Sequence, residues 1–408
     1  MNVLFLSQIV PYPPHGGVLQ RGYNIVREMG KYNQVHMLAF VHPEYLGTPE
    51  RLEEARRHLL TFCTTVEFFS LWPKESQLHK LVAFSAGLFY PLPFSVLAHK
   101  SAALQKRIAS ILKQYPMDII HVDTIGLARY FQPGWHIPTV LTHHNIESAL
   151  MARRAGVEQN PFIKFYVGLQ AKRLRAYEAS QSPRFALNLM MSSVDAQELL
   201  KIAPTARTAV VPNGVDTEYF VPRTDPQENA VIYTGGMNMF ANKDAVTHFI
   251  QSVWPMVLSQ AKDATFYVVG QDPPADLLEI EKKDTSIRVL GFVDDIRPHV
   301  AKAAVYVVPL RVGGGTRMKV LDALAQGKAI VSTSVGCEGI EVTDGLNICI
   351  EDQDDRFAKA ISDLFQSSAR RKELGAEARK LAEQKYGWES IGRTLQSFYE
   401  QLNQTGSE

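Results

Sequence analysis

Short runs of β-branched and aromatic residues alternate along this chain with longer amphipathic stretches, and this alternation narrows the fold class most. In the first half the runs fall at 2–7, 35–40, 65–70, 118–123, 138–143, 186–191 and 208–212. In the second half they fall at 230–235, 265–270, 287–293, 304–309, 329–333 and 346–350. Several are apolar almost throughout, such as Val305-Tyr-Val-Val-Pro-Leu310. A strand with one wet face alternates, whereas a strand covered on both faces reads this way. Stretches such as 243–259 and 316–326 have the helical period and supply the crossovers. The class is α/β, with two doubly wound parallel sheets. Val211-Pro-Asn-Gly-Val-Asp216 closes a strand, and the proline-rich, polar segment 221–229 reads as a linker. We expect domains at 1–220 and 221–385, and a helix over 386–408 that packs back across the interface between them.

The length of 408 residues accommodates two such domains. Formal net charge is +1, which argues against a nucleic-acid binder. The three cysteines, Cys63, Cys337 and Cys349, are too few for a disulfide framework or a four-cysteine metal site, and they suit a reducing, cytoplasmic compartment. Asn2–Ser7 has no basic segment before it and reads as a strand, not a secretory signal. The uncharged segment 81–98 contains Gly87, Pro91 and Pro93, which break a spanning helix. It is either core or a greasy surface. The neutral total hides an asymmetry. Residues 1–220 hold 22 Lys and Arg against 16 Asp and Glu, and the remainder holds 21 against 26. Much of the basic excess lies in 151–184, as a solvated helix face or as a patch that attracts anionic lipid or phosphate.

Ligands of open α/β sheets bind beyond the carboxyl ends of the strands. After 2–7 come Gly16 and Gly17 and then a helix carrying Arg21, an arrangement that suits either a plain turn or a close approach to an anion. After 304–309 come Gly313, Gly314, Gly315 and Thr316, then Arg317, Lys319 and Asp322 on one helix. Backbone amides and two cations there suit a diphosphate, and the carboxylate suits ribose hydroxyls. Neither a Walker A loop nor a dinucleotide G-x-G-x-x-G is present. After 138–143 stands Thr142-His-His-Asn-Ile-Glu147. Adjacent His143 and His144 point oppositely on a strand and make a poor metal pair, and no H-E-x-x-H or Asp cluster supports a metal. His144 suits contact with a sugar hydroxyl or a developing charge, or plain structural packing.

Together the Gly16-Gly17 loop, His144-Asn145, Val211–Asp216, Gly291-Phe-Val-Asp-Asp295 and the block from Pro309 to Thr333 resemble a retaining glycosyltransferase of the GT-B fold, family 4. The subgroup they resemble serves exopolysaccharide or cell-surface glycan assembly. The resemblance implies two Rossmann-like domains facing each other across a cleft that closes about the linker. It implies a nucleotide-diphosphate sugar as donor and no cofactor or bound metal; the base is not legible in the sequence, and UDP is expected in preference to GDP. Gly235, Gly236, Phe292, Val293, Gly313–Gly315, Thr316 and Asp322 would bind the donor, with Gly16 and Gly17 closing on its phosphates. His144, Arg317 and Lys319 would be catalytic. Arg21, Asn145 and Glu147 would stand on the side of a glycan or lipid-linked acceptor, where the basic domain could touch an anionic membrane peripherally.

Two departures qualify the resemblance. Family 4 usually carries Glu-x7-Glu in the last block, whereas here Gly314 stands at the first position and Asp322 at the second. Many members have Gly-Arg and then a lysine after the first strand of the second domain. This chain has Gly235-Gly236, with Lys243 displaced, so Arg317 and Lys319 are expected to neutralise the diphosphate. A nucleotide-sugar 2-epimerase and a weakened, nucleotide-binding scaffold protein are the alternatives.

Overall fold

In the computed structural model, described residues are 1–14, 17–43, 46–71, 87–88, 90–158, 160–223, 227–312 and 317–405. Gly16, Gly313, Gly314, Gly315, Thr316 and most of 81–89 lie outside them. The chain divides into two units, Met1–Pro212 with Ile391–Glu408, and Asn213–Ser390.

In the first unit, strands β1 (Asn2–Ser7), β2 (Gln34–Val41), β3 (Thr65–Ser70), β4 (Ile119–Val122), β5 (Thr139–His143), β6 (Leu187–Met190) and β7 (Thr208–Val210) form one sheet. Its order is β3-β2-β1-β4-β5-β6-β7, and every pairing is parallel. The helices include α1 (Gly17–Gly30), α2 (Pro49–Leu59), α3 (Ala102–Gln114), α4 (Glu147–Val157), α5 (Pro161–Gln181) and α6 (Ser193–Ile202). Thr48, Ser101, Asn160 and Ser192 cap α2, α3, α5 and α6 by accepting backbone N–H groups of the first turn.

The second unit holds β8 (Gln227–Thr234), β9 (Thr265–Val269), β10 (Ile287–Gly291), β11 (Ala303–Val308), β12 (Ala329–Ser332) and β13 (Cys349–Ile350). They run β10-β9-β8-β11-β12-β13, again parallel. Its helices include α7 (Phe240–His248), α8 (Trp254–Gln260), α9 (Ala275–Lys283), α10 (Arg297–Lys302), α11 (Met318–Ala325), α12 (Asp354–Gln366) and α13 (Ser368–Leu381). β11 and β12 are buried at every residue, as the apolar runs required. Their two faces feed two apolar clusters, one around Phe249, Trp254 and Phe266, the other around Val308, Leu321 and Leu324.

Sequence expectation and structure differ at the join. The second unit begins at Asn213 rather than 221. The Val215 N–H donates to Tyr386 O at 2.7 Å, and the Arg379 guanidinium binds the carbonyls of Thr217 and Phe220. Residues read as the end of one domain are therefore fastened to the other. The helix expected over 386–408 is present. It is α14 (Trp388–Thr405), which starts after a break at Gly387. Its stripe of Ile391, Leu395, Tyr399 and Leu402 is buried, and from Ile391 onward it belongs to the first unit. There Asn33 donates to the Gln396 side chain at 2.8 Å.

Candidate functional site

Each sheet reverses its strand order once, between β1 and β4 and between β8 and β11. Such switch points open a crevice at the carboxyl ends. In the second unit a cavity of about 460 Å³ occupies that position, a size suited to a small-molecule ligand. Gly235 and Gly236 follow β8, Gly270 and Gln271 follow β9, and Phe292 and Val293 follow β10; all six line it. Lys319 and Asp322 reach it from α11, one helical turn apart.

The floor is backbone packed on backbone. The Gly235 N–H donates to Val269 O at 2.8 Å, and the Gly270 N–H donates to Gly291 O at 2.8 Å. A Cβ on Gly270 would lie 1.9 Å from Gly235 O, so only glycine permits this approach. A Cβ on Gly235 would meet Lys319 Nζ at 2.5 Å.

Lys319 donates to the Tyr233 hydroxyl at 2.6 Å and to Asn242 Oδ1 at 2.9 Å. The Tyr233 hydroxyl donates to the same Asn242 oxygen, whose amide nitrogen donates to Gly236 O. Burial, with Arg317 adding repulsion, lowers the Lys319 ammonium to about 7. Burial raises the Asp322 carboxyl to about 7. That carboxylate has no hydrogen-bond or ion-pair partner among the described residues. A lysine held in place and an unpartnered carboxylate thus share one cavity, able to take an anion and to accept hydroxyl hydrogen bonds.

At the switch point of the first unit, Asp123 follows β4 and His144 follows β5. His144 Nε2 is 3.2 Å from Asp123 Oδ1, and Ser7 Oγ is 3.5 Å from Oδ2 of the same carboxylate. His121 is buried behind them, bonded to Thr142 and to the Tyr399 hydroxyl, and burial lowers it to about 4. His143 points the other way, buried against Asn188 at 3.0 Å, and burial lowers it to about 4 as well. Both are structural and neutral. Glu147 opens α4 and accepts from Thr124 at 3.0 Å, while burial raises its carboxyl.

A family model described as Glycosyltransferase Family 4 matches residues 16–219, half of the chain. The chain belongs to glycosyltransferase family 4. A second model, Glycosyl transferases group 1, matches residues 228–367 of the chain. A curated GDP-mannose-dependent monoacylated alpha-(1-6)-phosphatidylinositol monomannoside mannosyltransferase from Corynebacterium glutamicum is 25% identical over 205 residues, covering 45% of the chain and 54% of that protein. The chain spans about half the length of the curated relatives it matches. Among solved structures, the sucrose-phosphate synthase of Thermosynechococcus elongatus superposes with a TM-score of 0.67 at 14% identity, over 98% of this chain and 99% of that one. Anabaena Alr3699/HepE, solved with UDP, gives 0.62 at 14% identity, over 98% and 100%. The fold of the chain is therefore GT-B, built from two parallel-sheet Rossmann-like units.

Of the residues singled out in its sequence, Gly235, Gly236, Phe292, Val293, Lys319 and Asp322 come together in the cavity. Phe292 is 70% exposed. Arg317 is not among the lining residues; its Nη2 donates to Val335 O at 3.4 Å, beyond β12. Lys243 turns outward to Asp276 at 3.3 Å. Gly17 opens α1 with free space at its Cα. Asn145 is half-buried beside His144. Arg21, expected beside the acceptor, is instead 3% exposed. It donates to Pro212 O at 2.6 Å and Val211 O at 2.8 Å. Its position one helical turn into α1 aims it at the core.

Sequence reading missed Asp123, Tyr233, Asn242 and Gln271. Asp123 and Gln271 stand at strand carboxyl ends and were open to the same positional search. Tyr233 and Asn242 carried no signal, because nothing in the sequence aims Lys319 at them.

Proposed function

We propose that this glycosyltransferase moves a sugar from a nucleotide-diphosphate sugar to a glycan or lipid-linked acceptor. The observation that carries the donor reading is the pairing of Lys319 with the unpartnered Asp322 in one cavity at the β8–β11 switch point. Asp322 would accept from both ribose hydroxyls. Lys319 would meet the diphosphate and stabilise the charge that grows on it as the glycosidic bond breaks. The base would lie against Phe292 and Val293. Arg317 and the glycine run 313–315, with Thr316, would complete the diphosphate site. Alr3699/HepE was solved with UDP, which supports UDP over GDP; the GDP-mannose dependence of the Corynebacterium relative favours the other base.

The acceptor would bind the first unit. His144, oriented by Asp123, would hydrogen-bond a sugar hydroxyl there, with Asn145 and Glu147 close to the acceptor. Family resemblance supports retention of anomeric configuration without a metal, the departing diphosphate taking the acceptor proton. Resemblance to the exopolysaccharide subgroup supports a role in surface-glycan assembly, in the cytoplasm and peripherally at the inner membrane face. Among the described residues no helix is long and apolar enough to cross a membrane.

A thermal-shift series with UDP-sugars and GDP-sugars tests the donor site, since a specific ligand stabilises the fold by mass action. We expect a shift with one base that Asp322→Ala abolishes. A protein that no nucleotide sugar stabilises contradicts the donor reading. Binding without transfer across a broad acceptor panel contradicts the transfer reaction.

A further inference from the structure

Helices α4 and α5 carry an unusual surface. Phe162 and Phe165 in the first turns of α5 are 84% and 67% exposed, with Ile163 between them at 43% and Leu150 on α4 at 45%. Isolated exposed apolar residues are ordinary, but four on one helix pair are not. Positions 162, 165, 169 and 172 fall on one face of α5, which runs from the two phenylalanines to Lys172.

The same two helices expose Arg153, Arg154, Lys164, Lys172 and Arg175. None of these five has an ion-pair or side-chain hydrogen-bond partner among the described residues. Elsewhere many exposed cations are paired, as Lys31, Lys201, Arg311 and Lys359 are. The nearby acids are engaged within the protein: Glu147 by Thr124, Glu158 by the Asn160 N–H, Glu178 by Ser148, and the two acids on the α6 side of the groove, Asp195 by Ser192 and Glu198 by Lys201. Arg153, Lys172 and Arg175 also line a groove of about 450 Å³ between α4, α5 and α6.

We infer that this face docks the protein on an anionic lipid bilayer, with Phe162, Ile163 and Phe165 inserted among the acyl chains and the five cations on the headgroups. Cations that make no ion pair within the protein remain available to an external anion. Aromatic and aliphatic side chains beside them gain by leaving water, as in interfacial helices. A second copy of the chain is a poor occupant, because it would bring the same positive charges against these. The inference gives residues to the membrane contact proposed above. It does not depend on sugar transfer, because lipid binding is read without donor or acceptor.

The test is co-sedimentation of the full chain with vesicles of phosphatidylcholine alone, or of phosphatidylcholine mixed with phosphatidylglycerol. We expect binding to the mixed vesicles at least about tenfold tighter, falling with salt. Arg154→Gln with Lys164→Gln should weaken it about 25-fold, about fivefold per charge. Phe162→Ser with Phe165→Ser should remove the binding that survives high salt. Both variants should keep the parent Tm and its shift with nucleotide sugar, which separates this failure from a failed donor site. Equal binding to both vesicle types, or a phenylalanine pair variant that binds like the parent, overturns the inference. So does a dimer, without vesicle binding, that the phenylalanine substitutions break; the face would then join copies of the chain.

Discussion

Lys319 Nζ sits 2.6 Å from the Tyr233 hydroxyl and 4.1 Å from the centre of its ring. The tyrosine is fully buried on β8, so its hydroxyl is a fixed post. Asn242 accepts from both partners and closes the triangle. A lysine is otherwise a floppy point charge; here its ammonium is set in place before ligand arrives, which lowers the ordering cost of binding.

Tyr233→Phe removes one acceptor and leaves the ring. We expect KM for the donor to rise about tenfold, the scale of a hydrogen bond to a charged group, with kcat changed less. Lys319→Ala should cost about 10²-fold in kcat, as loss of a transition-state donor does. Steady-state kinetics separates the two. Unchanged turnover in Lys319→Ala removes the lysine from the mechanism.

Donor affinity should peak near pH 7. Lys319, lowered to about 7, must be protonated to hold a diphosphate, so affinity falls on the alkaline side. Asp322, raised to about 7, must be ionised to accept ribose hydroxyls, so affinity falls on the acid side. Calorimetric titration with UDP-glucose from pH 5.5 to 8.5 reads both limbs, over a range in which the donor diphosphate keeps its charge. Asp322→Asn should flatten the acid limb, and Lys319→Met the alkaline limb.

The same carboxylate costs stability. Folding raises Asp322 from 3.8 to about 7, so the folded state binds the extra proton between these values. Its contribution is intact below the lower value and is lost as pH rises through the upper one. Asp322→Asn should therefore raise Tm more at pH 8 than at pH 4, measured without ligand. An equal gain at both would place the carboxylate in water.

Gly235→Ala puts a methyl 2.5 Å from Lys319 Nζ and 3.0 Å from Asn242 Nδ2, both ends of side chains that can yield. Gly235 also holds φ at +155°, where a Cβ is strained, so Gly235→Ala should lower Tm moderately while keeping the fold by circular dichroism, and the thermal shift with UDP-sugar should disappear. Gly270→Ala meets a backbone carbonyl at 1.9 Å, which cannot yield. It should lower Tm sharply or leave the protein insoluble.

Arg21 acts on stability. Burial lowers its guanidinium to about 10, against the attraction of Asp123. Its two bonds to the carbonyls of Val211 and Pro212 hold the segment after β7. Arg21→Met loses both and should destabilise the first unit by about 3–5 kcal/mol, seen in chemical denaturation. A normal Tm with a raised acceptor KM would return Arg21 to the acceptor.

Sequence alone determined the strands and their burial. An apolar run such as Val305–Val308 states that both faces are covered, because burial is paid residue by residue along the strand. It also placed Gly235, Phe292 and Asp322 at strand ends or on the next helix, where ligands of parallel sheets collect. Tertiary structure decided what those residues touch. Lys319 meets Tyr233 across 86 positions, and His144 meets Asp123 across 21. Such partners are set by which strands become neighbours and by where a side chain turns, and neither leaves a periodic trace. The same holds at the join, where Val215, Arg379 and the stripe of α14 chose their units by packing, after the linker composition had pointed several residues further on.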